Sequence, residues 1–215
     1  MAGENTDLLQ TAKVEIIRVQ IERFHEFYAS YFQREETRPM VEYFFDRIYS
    51  LENNQEWRKL ALGTFQNVKS LVKEETRNNI EHLIELNELT ESLDLLLARK
   101  LLEKGYQPGT TISLSEYRNL YVEAGQGVQR QRHLDLVIGN MLSFYDLAHR
   151  PVNAILIKPA RFMSKMLGIY PLFATVEEGY YAVLPVSREL FESFLSEVKT
   201  REREYLSTAF GEPQP

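Results

Sequence analysis

The 215-residue chain contains no cysteine. That absence removes disulfide scaffolds, Cys-zinc sites, iron–sulfur clusters and thiol nucleophiles together. Histidine is scarce, with four residues (His25, His82, His133 and His149), so few combinations could ligate a transition metal. No uninterrupted apolar run approaches the roughly 18–20 residues that a membrane-spanning helix needs. The opening Met1-Ala2-Gly3-Glu4-Asn5 is acidic and has no basic or apolar region, so no secretory signal is expected and a cytoplasmic location is. Gly-x-Ser-x-Gly, Walker and dinucleotide-binding patterns are all missing, and Gly125-Gln126-Gly127 reads as a turn between helices. The pI near 5.4 leaves no electrostatic footprint for nucleic acid.

What is present is an average globular composition, 44% hydrophobic and 26% charged, carrying helical periodicity throughout. Val14, Ile17, Ile21, Phe24, Phe27 and Tyr31 recur at spacings of three and four. After Pro39, Val41, Phe44, Phe45, Ile48 and Tyr49 repeat the pattern, and Trp57, Leu60, Ala61, Phe65 and Val68 mark a third face. The longest segment runs from about Glu74 to Glu103 and stops at Gly105. Ser113-Leu114-Ser115-Glu116 has the form of a capping box that opens a helix through Tyr117, Leu120 and Tyr121. Another helix is predicted from Gly127 to His149. Pro151 starts the next, with a kink or an end expected at Pro159. A short helix follows Pro171, and Ser187 opens the last. Gly179 to Pro185 has some strand character but no second strand to pair with, so helix is preferred there. The reading is all-α: one domain over residues 1–215, built from seven to nine helices with short connections. A subdomain break, if any, would fall at 104–111. Phe44, Phe45, Ile48, Trp57, Leu60, Leu93, Leu97 and Leu120 are the expected core.

Tyr43-Phe44-Phe45-Asp46-Arg47-Ile48-Tyr49 resembles the signature of the FFLEELY-motif family, uncharacterised bacterial proteins. The downstream order is similar too. A Leu-rich stretch runs from Glu85 to Asp94, a Tyr-centred helix surrounds Tyr117 to Tyr121, and Asp146 precedes Pro151. Ser50-Leu51 stands where the signature commonly carries Gly-Pro. The resemblance, over residues 38–206, implies an all-helical fold and no assigned activity.

Two patterns carry candidate chemistry. Glu22-x-x-His25 and Asp146-x-x-His149 place a carboxylate and an imidazole on one helix face, the spacing that di-iron bundles use. Glu81, Glu85 and Glu88 could add ligands, although with Glu91 their spacing opposite the leucines is that of a solvated helix face. His149, beside a helix end, also suits a capping role, and His82 and His133 are expected to face water. The second pattern is charge. From His149 to Thr175 there is no acidic residue, while Arg150, Lys158, Arg161 and Lys165 give that segment +4 in a chain of net −6, leaving −10 on the remainder. Lys158, Arg161 and Lys165 share one helical face beside Ile155, Phe162, Met163, Met166 and Leu167. Such a segment suits an anionic protein, a phosphorylated small molecule or a lipid surface met peripherally, or packs as an internal counter-charge. Twelve Phe, twelve Tyr and one Trp suit a packed core, with an aromatic pocket for an apolar or tetrapyrrole-like ligand as the alternative. No cofactor is identified. The favoured reading is a non-enzymatic binding protein; the alternative is a metal- or cofactor-dependent enzyme built on the Glu/Asp-x-x-His pairs.

Overall fold

The structure, a computed structural model, describes residues 2–49, 59–64 and 74–211. Among these every regular element is helical and no strand occurs. Helix α1 (Ala2–Phe27) is followed by the short α2 (Ala29–Gln33) and α3 (Arg38–Val41). α3 continues into a π-helical segment, Glu42–Ile48. Residues 59–64 are helical. Then come α4 (Glu74–Glu103), α5 (Leu114–Ala124), α6 (Gly127–Ala148), α7 (Pro151–Met166), α8 (Tyr170–Val183) and α9 (Arg188–Phe210). No described helix is long and apolar enough to cross a membrane.

Local signals explain the boundaries. α4 ends at Gly105, whose φ of +84° suits a residue without Cβ, and the Tyr106 N–H returns to the Leu101 carbonyl. Ser113 and Glu116 form the expected capping box: the Glu116 N–H donates to Ser113 Oγ, and the Ser113 N–H donates to Glu116 Oε2 at 2.7 Å. The turn from α5 to α6 uses two left-handed residues, Gly125 and Gln126. Arg130 braces it by donating from Nε to the Gly125 carbonyl at 3.0 Å while stacking on Tyr121. The 179–183 stretch is the last part of α8, in line with the helical preference.

α4 packs along α1 and α6, α9 packs along α6, and α1 also meets α5, so α1 contacts the helices on both sides of the 104–111 loop. The core has two apolar clusters. One gathers Ile16, Val19, Leu97, Leu101, Leu120 and Leu134. The other gathers Tyr28, Met40, Phe45, Tyr145, Phe191 and Phe194. The buried residues of the first cluster end at Val19 on α1 and those of the second begin at Tyr28, just past its end; Arg23 lies between, and Phe27 packs against both. Along α9 the order is Val198, Glu202, Tyr205. Arg23 and Glu202 therefore meet at the seam of the two clusters, Nη2 to Oε2 at 2.8 Å.

Phe45, Leu93, Leu97 and Leu120 are buried as expected, whereas Phe44, Ile48 and Leu60 are half-buried. Trp57, Phe65 and Val68 lie outside the described residues. For Phe44 and Ile48 the cause is the π-helical segment. Its i→i+5 bonding widens the turn and shifts the phase, so that Tyr43, Phe45 and Tyr49 point inward. α7 runs unbroken through Pro159 instead of ending there. On this exposed helix the Ile155 carbonyl, which Pro159 has no N–H to satisfy, can turn to solvent.

Candidate functional site

The expected metal pairs are each engaged elsewhere. Glu22 accepts from Arg18 at 2.8 Å. His25 Nε2 sits 2.8 Å from Asp46 Oδ1, and its ring stacks on Phe32. Asp146 pairs with Arg188. His149 donates from Nδ1 to the Tyr145 carbonyl at 2.9 Å and lies flat on the Tyr145 ring. Among the described residues no group of three or more His, Asp or Glu side chains is placed to hold a metal ion.

A different polar cluster lies inside the bundle. The Tyr49 hydroxyl donates to Asp94 on α4, and Lys13 on α1, only 1% exposed, reaches Glu91 at 2.5 Å. Thr90 donates to the Leu86 carbonyl, which spends its only hydroxyl proton. The 2.8 Å contact between Thr90 Oγ1 and His133 Nε2 therefore has His133 as donor and fixes the Nε2–H tautomer. His133 thus turns inward, not to water as expected, because Thr90 gives its ring nitrogen a partner inside. Burial, helped by the charge of Arg130, pushes His133 down to about 4. Burial pushes Asp94 up to about 7, against the opposing pull of the Tyr49 hydroxyl and the Lys13 and Arg130 charges. Glu91 also leaves the solvated row, which Glu81 and Glu88 keep.

These residues escape periodicity analysis because charged side chains are normally assigned to water. The signal was their phase. Lys13 follows Ala12, and Arg23 continues the Ala12-Ile16-Val19 row, so both fall on inward positions of α1. Tyr49 and Asp94 each end one of the two motif stretches, and the fold joins those ends by a hydrogen bond.

Over residues 2–215 the chain matches a family described as a domain of unknown function, DUF8198. The chain belongs to that family. No curated protein and no solved structure matches it. In this DUF8198 chain Lys13, Tyr49, Thr90 and Asp94 of the polar cluster are buried and Glu91 and His133 half-buried, and a second feature lies on the surface.

There α7 stands apart. Its inward strip is Asn153, Ile157, Ala160 and Ser164, spaced four, three and four, a narrow row that seats it mainly on α8. Its outward side carries Val152, Ile155, Leu156, Phe162, Met163 and Met166, continued by Leu167. Ile155 is 75% exposed, Phe162 66% and Met166 69%. The wider apolar face of the helix thus points away from the protein. Lys158 and Lys165 lie seven residues apart on one flank of that face, both exposed. Lys158 has no ion pair among the described residues, and Lys165 Nζ rests 4.8 Å from the centre of the Tyr170 ring. Arg161, on the same flank, is bound on both carboxylate oxygens by Glu177 of α8, at 2.8 and 3.0 Å from Nε. Of the three cations singled out in the sequence, two face outward and one ties α7 down.

Proposed function

We propose that this protein is a non-enzymatic binding protein whose binding element is α7, offered to a negatively charged partner surface. The observation that carries the reading is the outward apolar face of α7 beside the unpaired Lys158 and the exposed Lys165. A contiguous exposed apolar patch invites association, and monomeric proteins keep large ones where they are used. The sign of the partner follows from the absence of any acidic residue between His149 and Thr175. Two α7 helices face to face would oppose like charges, so this face is poorly suited to pair with its own image. The enzymatic alternative would need His25 freed from Asp46 and Asp146 freed from Arg188. A cytoplasmic location in bacteria, and kinship with the FFLEELY-motif proteins through residues 43–49, belong to the same proposal.

The test places a photo-crosslinking amino acid at Ile155, or at the equally exposed Val128 on α6, in the full chain expressed in its native host. Adducts are expected at 155, not at 128, and are lost in Lys158→Glu/Lys165→Glu. Arg161 is spared because Glu177 uses it. No adduct at 155, or adducts indifferent to the charge reversal, would overturn the reading.

A further inference from the structure

We infer that the surface met by α7 is an anionic lipid bilayer, with the helix lying in the plane of the interface; this rests on the reading of α7 as the binding element.

Shape is the first argument. The outward face is convex and apolar along the whole of α7, about 24 Å at 1.5 Å per residue. A flat, fluid, apolar layer accommodates a long convex strip without a matching groove. Width is the second. The outward residues recur as Val152, Ile155/Leu156, Pro159, Phe162/Met163 and Met166, with no polar residue among them. This is the broad stripe of an interfacial helix.

Charge order is the third argument. A bilayer presents anionic headgroups above an apolar layer, and α7 presents the matching order from its flank to its face. Lys158 and Lys165 have stems long enough to keep the ammonium at headgroup height while Ile155 and Phe162 sit deeper. Tyr170, under Lys165, supplies an aromatic ring of the kind enriched at that depth. A protein rim normally mixes charges of both signs, whereas the segment from 149 to 175 has one sign only.

Pro159 sets the depth. The Ile155 carbonyl lacks its helical N–H partner, and deep in hydrocarbon that group would stay unsatisfied. At the wet interface it keeps water, so α7 lies on the membrane without entering its core. The acidic remainder of the chain does not prevent this. At physiological ionic strength charges more than about 8 Å from the headgroups are largely screened. The nearest acids on either side in sequence, Asp146, Glu177 and Glu178, are paired with Arg188, Arg161 and Arg47.

The absence of cysteine makes the test clean. Full-length protein carries a single Ile155→Cys or Val128→Cys labelled with an environment-sensitive dye, and is mixed with vesicles of phosphatidylcholine alone or with about one-third phosphatidylglycerol. The dye at 155 should brighten and shift to the blue with anionic vesicles only, and the dye at 128 should not respond. Lys158→Glu/Lys165→Glu and, separately, Phe162→Ser/Met166→Ser should each weaken vesicle binding at least tenfold. Both pairs are exposed, so the melting temperature should hold within a few degrees. Binding should fall in 0.5 M salt and persist in millimolar glycerol 3-phosphate.

No response to anionic vesicles overturns the bilayer. So does full competition by glycerol 3-phosphate, which would make the ligand a free phosphate ester. Sedimentation that detects self-association abolished by the same apolar pair would assign the face to a second copy. Crosslinks from 155 to protein without vesicle binding would sink the bilayer and leave α7 as the binding element; loss of both results would sink both readings.

Discussion

The Tyr49 hydroxyl, at the end of the π-helical segment, donates to both carboxylate oxygens of Asp94, 45 residues later, at 2.9 and 3.0 Å. It ties the end of that segment to the long helix α4. The acceptor is buried, so its charge is costly, and the proton it binds is part of the folding equilibrium.

Asp94 and His133 should pull the pH dependence of stability in opposite directions. Asp94 is raised from 3.8 to about 7, so its contribution favours the fold fully below pH 3.8 and is lost as pH rises through 7. His133 is lowered from 6.5 to about 4, so its contribution is complete above pH 6.5 and lost as pH falls through 4. Between pH 7 and 4 the two largely offset each other. Urea midpoints at pH 7 and 4.5 should show Asp94→Asn losing more stability on acidification than the parent, and His133→Gln losing less. Each variant should depart from the parent's change by on the order of 2–3 kcal/mol, in opposite directions, from about 1.4 kcal/mol per pKa unit. Parallel pH profiles would contradict it.

The seam pair gives a second prediction. Glu202 accepts from Arg23 at 2.8 Å and from the Tyr28 hydroxyl at 2.7 Å, and Arg23 Nη1 already has no hydrogen-bond partner among the described residues. Glu202→Ala should destabilise by about 3–5 kcal/mol, because it leaves a buried guanidinium uncompensated. Arg23→Leu/Glu202→Leu should recover most of that loss in chemical denaturation. A double variant as unstable as the single would show that the pair's geometry, not its charge balance, matters.

Gly179 carries a third. A Cβ there would lie 2.2 Å from the Tyr43 ring, and that ring is held against Phe144 and Phe44. Gly179→Ala should cost about 1–3 kcal/mol through overpacking, despite the better helix propensity of alanine. In a Tyr43→Ser background the same change should become neutral or stabilising. Thermal melts of the four proteins decide it.

The helices were largely legible. Ser113 and Glu116 announced α5 because a capping box is local chemistry, and Gly105 ended α4 for an equally local reason. The harder residues depended on what lies opposite them. Phe44 and Ile48 keep perfect α spacing, yet π bonding leaves them half-buried and moves Tyr43 into the interior. Periodicity found the apolar stripe of α7 but could not say whether anything covers it. In the fold the inward positions go to Ala160 and Ser164. Lys13 had an inward phase, but its pairing and that of His133 could not be read because their partners, Glu91 and Thr90, are distant in the chain. The Glu-x-x-His spacing of Glu22 and His25 was real, but the two side chains have separate partners, Arg18 and Asp46.

The π-helical segment also bears on the length of this part of the chain. Each α-helical residue advances the direction of the chain by about 100°, since 3.6 make a turn. The wide turn between 42 and 48 holds one residue more than an α-helical turn. Deleting one residue between 44 and 48 would let ordinary α bonding resume while the turns on either side keep nearly their present directions, so Tyr43 on Gly179 and Tyr49 on Asp94 could both stay. The same deletion in a plain α-helix would turn everything past it by about 100°. The stretch is therefore a slot that holds a spare residue, and its length can change where that of a plain helix cannot.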